Sequence, residues 1–233
     1  MIKLRLIYSK SKEAIYLSHL NMLDVFESSF KRANIPMQYS DGFTKRPELV
    51  FASPLTVGIE STGEILEIQL LEKMDIPFFI REVNKVLPPA ITILSAEYVK
   101  ENEKNIMARV FASIYTIAII YDKEEIKDKT LKEIENLKRE YKNKMQDYLE
   151  QSEILVKREL KLGDKKGKII DGEEINIKPK IRDYEFLFND KLEITVDSGS
   201  NSNLKPDLFM QGFCDFIKNN IEYSVKREKI MFK

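Results

Sequence analysis

Hydrophobic and polar positions alternate from the start of the chain. Ile2, Leu4, Leu6 and Tyr8 share one parity, and Lys3, Arg5 and Ile7 the other. A period of two predicts a strand with one buried face. The period then changes. Leu20, Leu23, Phe26, Phe30 and Ala33 fall at helical spacing behind Ser18, a good N-cap, and Pro36 ends the helix. Leu49 to Phe51 is short and β-prone. From Ile65 to Leu71, Leu66, Ile68 and Leu70 alternate against Ile65, Glu67 and Gln69, a second strand pattern. Pro77 opens a helix whose apolar face is Phe78, Phe79, Val83, Val86 and Leu87, and Ile91 to Val99 is again β-rich. The order is βαββαβ. Its simplest compact closure is a four-stranded antiparallel sheet with both helices on one face, a ferredoxin-like domain.

The second half repeats that order with insertions. Val110 to Tyr121 predicts a strand. Lys123 to Ser152 predicts a long charged helix with Ile126, Leu131, Ile134, Leu137, Tyr141, Met145, Tyr148 and Leu149 as its stripe. Ile154 to Leu162 predicts a strand, and Gly163-Asp164 and Asp171-Gly172 punctuate a hairpin. Two short strands flank Asn189-Asp190, Pro206 starts a helix containing Leu208, Phe209, Phe213 and Phe216, and Tyr223 to Phe232 closes with a strand. The polar run Glu101 to Asn105 marks the boundary. The expected architecture is therefore α+β: two tandem ferredoxin-like halves with antiparallel sheets, residues 1–105 and 106–233.

One region follows neither period. From Tyr39 to Glu64 loop-formers, aromatics and isolated charges interleave, which reads as a shaped surface between elements. Some twenty residues upstream is His19, the only histidine. Ser18-His19-Leu20-Asn21, Arg32-Ala33-Asn34-Ile35-Pro36, Tyr39-Ser40-Asp41-Gly42-Phe43 and Phe51-Ala52-Ser53-Pro54-Leu55-Thr56-Val57-Gly58-Ile59 resemble the bacterial radical-SAM-linked protein family, DUF2344. The resemblance is dense from Ser18 to Glu64 and thin but collinear through Asn176 to Pro179, Leu204 to Pro206 and Lys226-Arg227. Asn21, Lys45, Arg46, Asn176 and Lys178 stand where the family usually has other residues. The resemblance implies a radical SAM protein as partner, and it implies no settled activity.

Composition narrows the chemistry. The 233 residues are 43% hydrophobic and 33% charged, with 38 basic and 38 acidic side chains. The chain can bury a core, and it has no global basic field to draw in nucleic acid. The single cysteine, Cys214, cannot hold an iron–sulfur cluster, so the chain is not itself expected to be a radical SAM enzyme. One histidine and one cysteine leave no standard zinc set, so neither metal nor cofactor is expected. No HExxH, CxxC, GxSxG or Walker A pattern occurs. Met1 to Tyr8 shows no signal-peptide pattern and no apolar run is long enough to span a membrane, so the expected location is the cytoplasm.

The candidate site is Ser18, His19, Tyr39, Ser40, Gly42, Phe43, Lys45 and Arg46. His19 suits a general base, a metal ligand or a phosphate contact, and equally a helix-start residue bonded to a neighbouring loop. Gly42 permits a positive φ, and Pro47 and Pro54 stiffen the loop. Tyr39 and Phe43 offer planar faces beside the cations Lys45 and Arg46, a combination that suits stacking on bases and contact with phosphates. The same residues would serve as caps on a core under a solvated rim. Glu64 is the carboxylate candidate for acid–base work. Lys157, Arg158, Lys161, Lys165, Lys166, Lys168, Lys178, Lys180 and Arg182, with Lys226, Arg227 and Lys229, are either a phosphate-binding patch or a solvated surface. The expected function is an accessory protein that binds RNA or a ribonucleoprotein for a radical SAM partner. The alternatives are a stand-alone RNA-processing or RNA-modifying enzyme using His19, and a protein–protein adaptor.

Overall fold

The structure, a computed structural model, describes residues 2–42, 45–121, 126–161, 169–188 and 190–233. The protein is α+β, with mixed but mostly antiparallel strand pairing. It divides into two compact units: residues 1–115 with 198–202 and 225–233, and residues 116–197 with 203–224.

In the first unit the predicted βαββαβ order is present. It runs β1 (Ile2–Lys10), α1 (His19–Arg32), β2 (Leu49–Phe51), β3 (Glu60–Leu70), α2 (Ile76–Val86) and β4 (Ile91–Tyr98). The strand order is β4-β1-β3-β2, with each of these pairs antiparallel. Tyr8 stands opposite Glu64, and Phe51 opposite Leu66. Leu4, Leu6 and Tyr8 of β1, Leu66, Ile68 and Leu70 of β3, Phe26 and Phe30 of α1, and Phe79 and Val83 of α2 form one core. Its aromatic spine runs Tyr8–Phe26–Phe30–Phe79, with centroids 4.9, 5.7 and 6.1 Å apart. Ser18 caps α1 by accepting from the Asn21 amide at 3.2 Å. The buried face of α1 is Met22, Phe26, Ser29 and Phe30, and Leu20 is 69% exposed. The predicted stripe was therefore rotated at its first turn, where Leu20 falls outside the i, i+4 row of Met22, Phe26 and Phe30.

A short helix, α3 (Ile106–Arg109), leads into β5 (Val110–Ile120). The compact units do not follow the 105/106 boundary. β5 begins in the first unit and ends in the second, and the last strand, β10 (Glu222–Phe232), does the reverse. In the first unit β10 runs parallel to β3, with Lys226 opposite Glu60 and Arg227 opposite Ser61. This contact is tight: a Cβ on Gly63 would collide with the Glu228 carbonyl. On the other side of this sheet Ala52, Ile65, Ile106, Val110 and Ile230 form a small cluster.

The second unit contains α4 (Leu131–Glu150), β6 (Leu155–Lys161), β7 (Ile169–Asn176), β8 (Ile181–Leu187), β9 (Lys191–Asp197) and α5 (Pro206–Ile217). The strand order there is β5-β9-β8, and β6 and β7 pair only with each other. Thr130 and Glu133 close a capping box at the start of α4. Tyr141, Met145, Tyr148 and Leu149 are its buried face, whereas Leu131 is 82% exposed. Tyr148 packs on Phe209 and Phe213 of α5 at 5.5 and 5.6 Å. Asp171 and Gly172, read as turn residues, lie within β7, and the predicted turn at Gly163-Asp164 is outside the described residues. The predicted start of the long helix, Lys123 to Glu125, is also outside them. No described helix is long and apolar enough to cross a membrane.

Candidate functional site

Three charges sit on the inward parity of three strands in the first unit. Lys10 follows Leu4, Leu6 and Tyr8 on β1. Glu64 precedes Leu66, Ile68 and Leu70 on β3. Arg227 follows Val225 on β10. They are 2%, 3% and 1% exposed. Burial without pairing would cost several kcal/mol per ion, on the order of the effective desolvation penalty. The pairing is specific. Arg227 Nε donates to Glu64 Oε1 at 2.7 Å, and Nη2 donates to Oε2 at 2.5 Å. Nη2 also donates to the Ser53 carbonyl at 2.9 Å. The guanidinium thus ties β10, β3 and the Phe51-Ala52-Ser53-Pro54-Leu55 motif together.

A small pocket opens beside this pair, at the start of α1. Tyr8, Lys10, Leu17, His19, Phe51, Ser53 and Glu64 are among its walls. His19 is exposed at the rim, and its ring meets Phe51 edge-on with centroids 5.1 Å apart. Lys10 Nζ donates to the Leu17 carbonyl at 3.1 Å. Burial pushes the Tyr8 phenol well above its ordinary value, and nearby Glu64 adds to this while Arg227 opposes it. Burial lowers the Lys10 ammonium, with Arg227 acting in the same direction and Glu64 against it. Burial works against the charge on Arg227, but Glu64 and Tyr115 outweigh it and hold the guanidinium above its usual range.

His19 and Glu64, the two acid–base candidates, therefore share one pocket, although both Glu64 oxygens are engaged by Arg227. The Tyr39 loop is fixed at the other end of β3. The Gln38 amide donates to the Gln69 carbonyl at 2.9 Å, and Glu48 bonds back to Gln38 at 3.1 Å. Five residues of strand, about 17 Å, separate Gln69 from Glu64. Within the loop, Ser40 and Arg46 are joined by an amide-to-carbonyl bond of 2.9 Å and by the Ser40 hydroxyl accepting from the Arg46 amide at 3.3 Å. Tyr39, Lys45 and Arg46 are exposed, and Phe43 lies outside the described residues. Gly42 does not adopt a left-handed φ; the motif glycine that does is Gly58, at 91°.

Several cations read as candidate phosphate contacts are used otherwise. Arg227 is buried on Glu64, and Lys226 pairs with Glu228 at 2.9 Å. Lys157 remains exposed, at the register position opposite Glu174 on the β6–β7 ladder. Lys178 donates to the Leu149 carbonyl in the last turn of α4, and Arg182 pairs with Asp197 at 2.6 Å. Lys165, Lys166 and Lys168 lie outside the described residues. Among the described residues no group of three or more His, Cys, Asp or Glu side chains is arranged to hold a metal ion.

Sequence reasoning missed Lys10 and the Arg227–Glu64 pair. The signal was present, since each charge occupies the apolar parity of its strand. Comparison with curated proteins gave no match. A family model described as "Uncharacterized protein conserved in bacteria (DUF2344)" matches residues 3–206, and the chain belongs to that family.

Proposed function

We propose that this chain is a cytoplasmic accessory protein, built of two tandem ferredoxin-like halves, that binds RNA or a ribonucleoprotein substrate for a radical SAM partner. The tandem reading is supported by the strand order β4-β1-β3-β2 and by its counterpart β10-β5-β9-β8, with β6 and β7 as an insertion. The partner rests on the resemblance in the motif from Ser18 to Glu64. One observation carries the RNA reading: a loop pinned at its base to Gln69 presents Tyr39, Lys45 and Arg46 to solvent together. A loop anchored at its base and bearing an aromatic face and two cations suits base stacking with phosphate contact.

Filter binding to total cellular RNA tests this. Contact with about four phosphates of a single strand predicts a loss of roughly 50-fold in affinity between 50 and 200 mM salt. Replacing Lys45 and Arg46 with Ala should flatten that dependence, and His19→Ala should leave it unchanged. No binding above a neutral control at low salt removes the RNA reading and puts the adaptor reading first. A second reading, an RNA-processing enzyme, is favoured by one observation: His19 shares its pocket with Tyr8, Lys10 and Glu64. Conversion of RNA by the isolated chain, lost in His19→Ala, would establish it.

A further inference from the structure

We infer that the pocket at the start of α1 is an oxyanion site and, resting on the RNA reading above, that its ligand is a terminal phosphate of an RNA strand. The first ground is charge. Two cations and one carboxylate are buried here, and both oxygens of Glu64 are committed to Arg227. Among the described residues no carboxylate lies within ion-pair distance of Lys10, whose bond is to a neutral carbonyl. The site thus carries a surplus positive charge, and buried charges are ordinarily balanced by a partner.

The second ground is a second donor. Tyr8, 2% exposed, lines the same pocket as Lys10 and carries a phenolic hydroxyl able to donate. The third ground is position. The first turn of α1 contributes exposed His19 and buried Met22 to the pocket walls, so the positive end of a 14-residue helix lies beside it.

Size narrows the class. The free space is about 280 Å³, part of it open to solvent, with inner room for about one water-sized atom. One phosphate oxygen can enter, and a planar base cannot. A pocket closed on its inner side takes a group at the end of a chain. Lys10 and Tyr8 then donate to the inserted oxygen, and His19 at the rim meets the remainder. An internal phosphodiester, flanked by sugar on both sides, does not reach in.

The test uses the full chain and one short single-stranded RNA in three forms: 5′-phosphorylated, 3′-phosphorylated, and hydroxyl at both ends. Affinities come from fluorescence anisotropy, and thermal melts are run with inorganic phosphate alone. One phosphorylated form should bind at least about tenfold tighter than the hydroxyl form, the scale of one charge-assisted hydrogen bond. Lys10→Met should erase that preference and leave the hydroxyl form's affinity unchanged. Tyr8→Phe should reduce the preference while keeping the fold, so it decides the matter if Lys10→Met melts early. Inorganic phosphate should raise the Tm of the wild type and not of Lys10→Met.

Equal affinities for all three RNAs, with no effect of phosphate on Tm, overturn the inference and leave the RNA reading standing. Equal affinities with a Lys10-dependent phosphate effect support the oxyanion site and overturn the RNA terminus as its ligand. Phosphate stabilisation without any RNA binding keeps the oxyanion site and overturns the RNA reading.

Discussion

Replacing Arg227 with Met tests the central claim about the first unit, that its strands are locked by one buried ion pair. The guanidinium is 1% exposed and Glu64 is 3% exposed. Two charge-assisted bonds join them, at 2.7 and 2.5 Å, and a third reaches the Ser53 carbonyl at 2.9 Å. An exposed pair of the same composition would be worth at most about 1 kcal/mol. Burial changes the scale, because Arg227→Met leaves the Glu64 carboxylate dry and uncompensated, a loss of about 3–5 kcal/mol. That is a large share of a typical domain's stability of about 5–15 kcal/mol. Glu64→Leu with Arg227→Met removes both charges and should recover most of the loss. It does not recover the bond to Ser53, so a deficit of about 1 kcal/mol remains. The assay is urea denaturation followed by far-ultraviolet circular dichroism, since the chain has no tryptophan. A loss below about 1 kcal/mol in Arg227→Met, or a double variant no better than the single, would show that the pair is not the lock described.

Three further outcomes are expected. Gly63→Ala should destabilise the first unit by more than about 2 kcal/mol, because the added carbon meets the Glu228 backbone carbonyl and not a yielding side chain; increased amide exchange along β3 and β10 would report it. Tyr8 should resist ionisation in the native state. Its folded value is raised, so its contribution is intact below the unfolded value near pH 10 and is lost as pH climbs toward the folded one; ultraviolet titration should show its phenolate only on unfolding, and Tyr8→Phe should lessen the alkaline fall in stability. Thr130→Ala opens the capping box with Glu133 and should cost about 1 kcal/mol in the second unit, readable as a lower urea midpoint.

The fold was legible where the period was clean. β1, β3, α1 and α2 follow from alternation or helical spacing with a recognisable cap, and so does the βαββαβ order of the first unit. Helix rotation was less legible. Leu20 and Leu131 read as inward because they are apolar, but both are exposed in the first turns of their helices. Cations were the least legible. Lys178, Arg182 and Arg227 look alike in a sequence. Their partners are a helix-end carbonyl, Asp197 and Glu64, from 15 to 163 residues away, and no local pattern reports them.

The candidate site divides along the same line. Ser18, His19, Ser53 and Glu64 belong to the dense motif, and the fold gathers them at one end of β3 together with Lys10 and Arg227, which the motif does not include. Tyr39, Lys45 and Arg46 belong to the same motif, but their loop is anchored at the other end of that strand. A motif continuous in sequence is thus spread over about 17 Å of strand. If RNA is the ligand, the two ends carry separable terms. The loop contributes a salt-sensitive, sequence-tolerant contact, and the pocket contributes a preference that depends on Lys10 and Tyr8 and vanishes when the terminal phosphate is removed. Lys45→Ala with Arg46→Ala should therefore lower the affinity of every RNA alike and leave the ratio between phosphorylated and hydroxyl forms intact. Lys10→Met should do the opposite. Anisotropy on the two variants side by side separates the terms, and a common effect of both on the ratio would mean that loop and pocket act as one site.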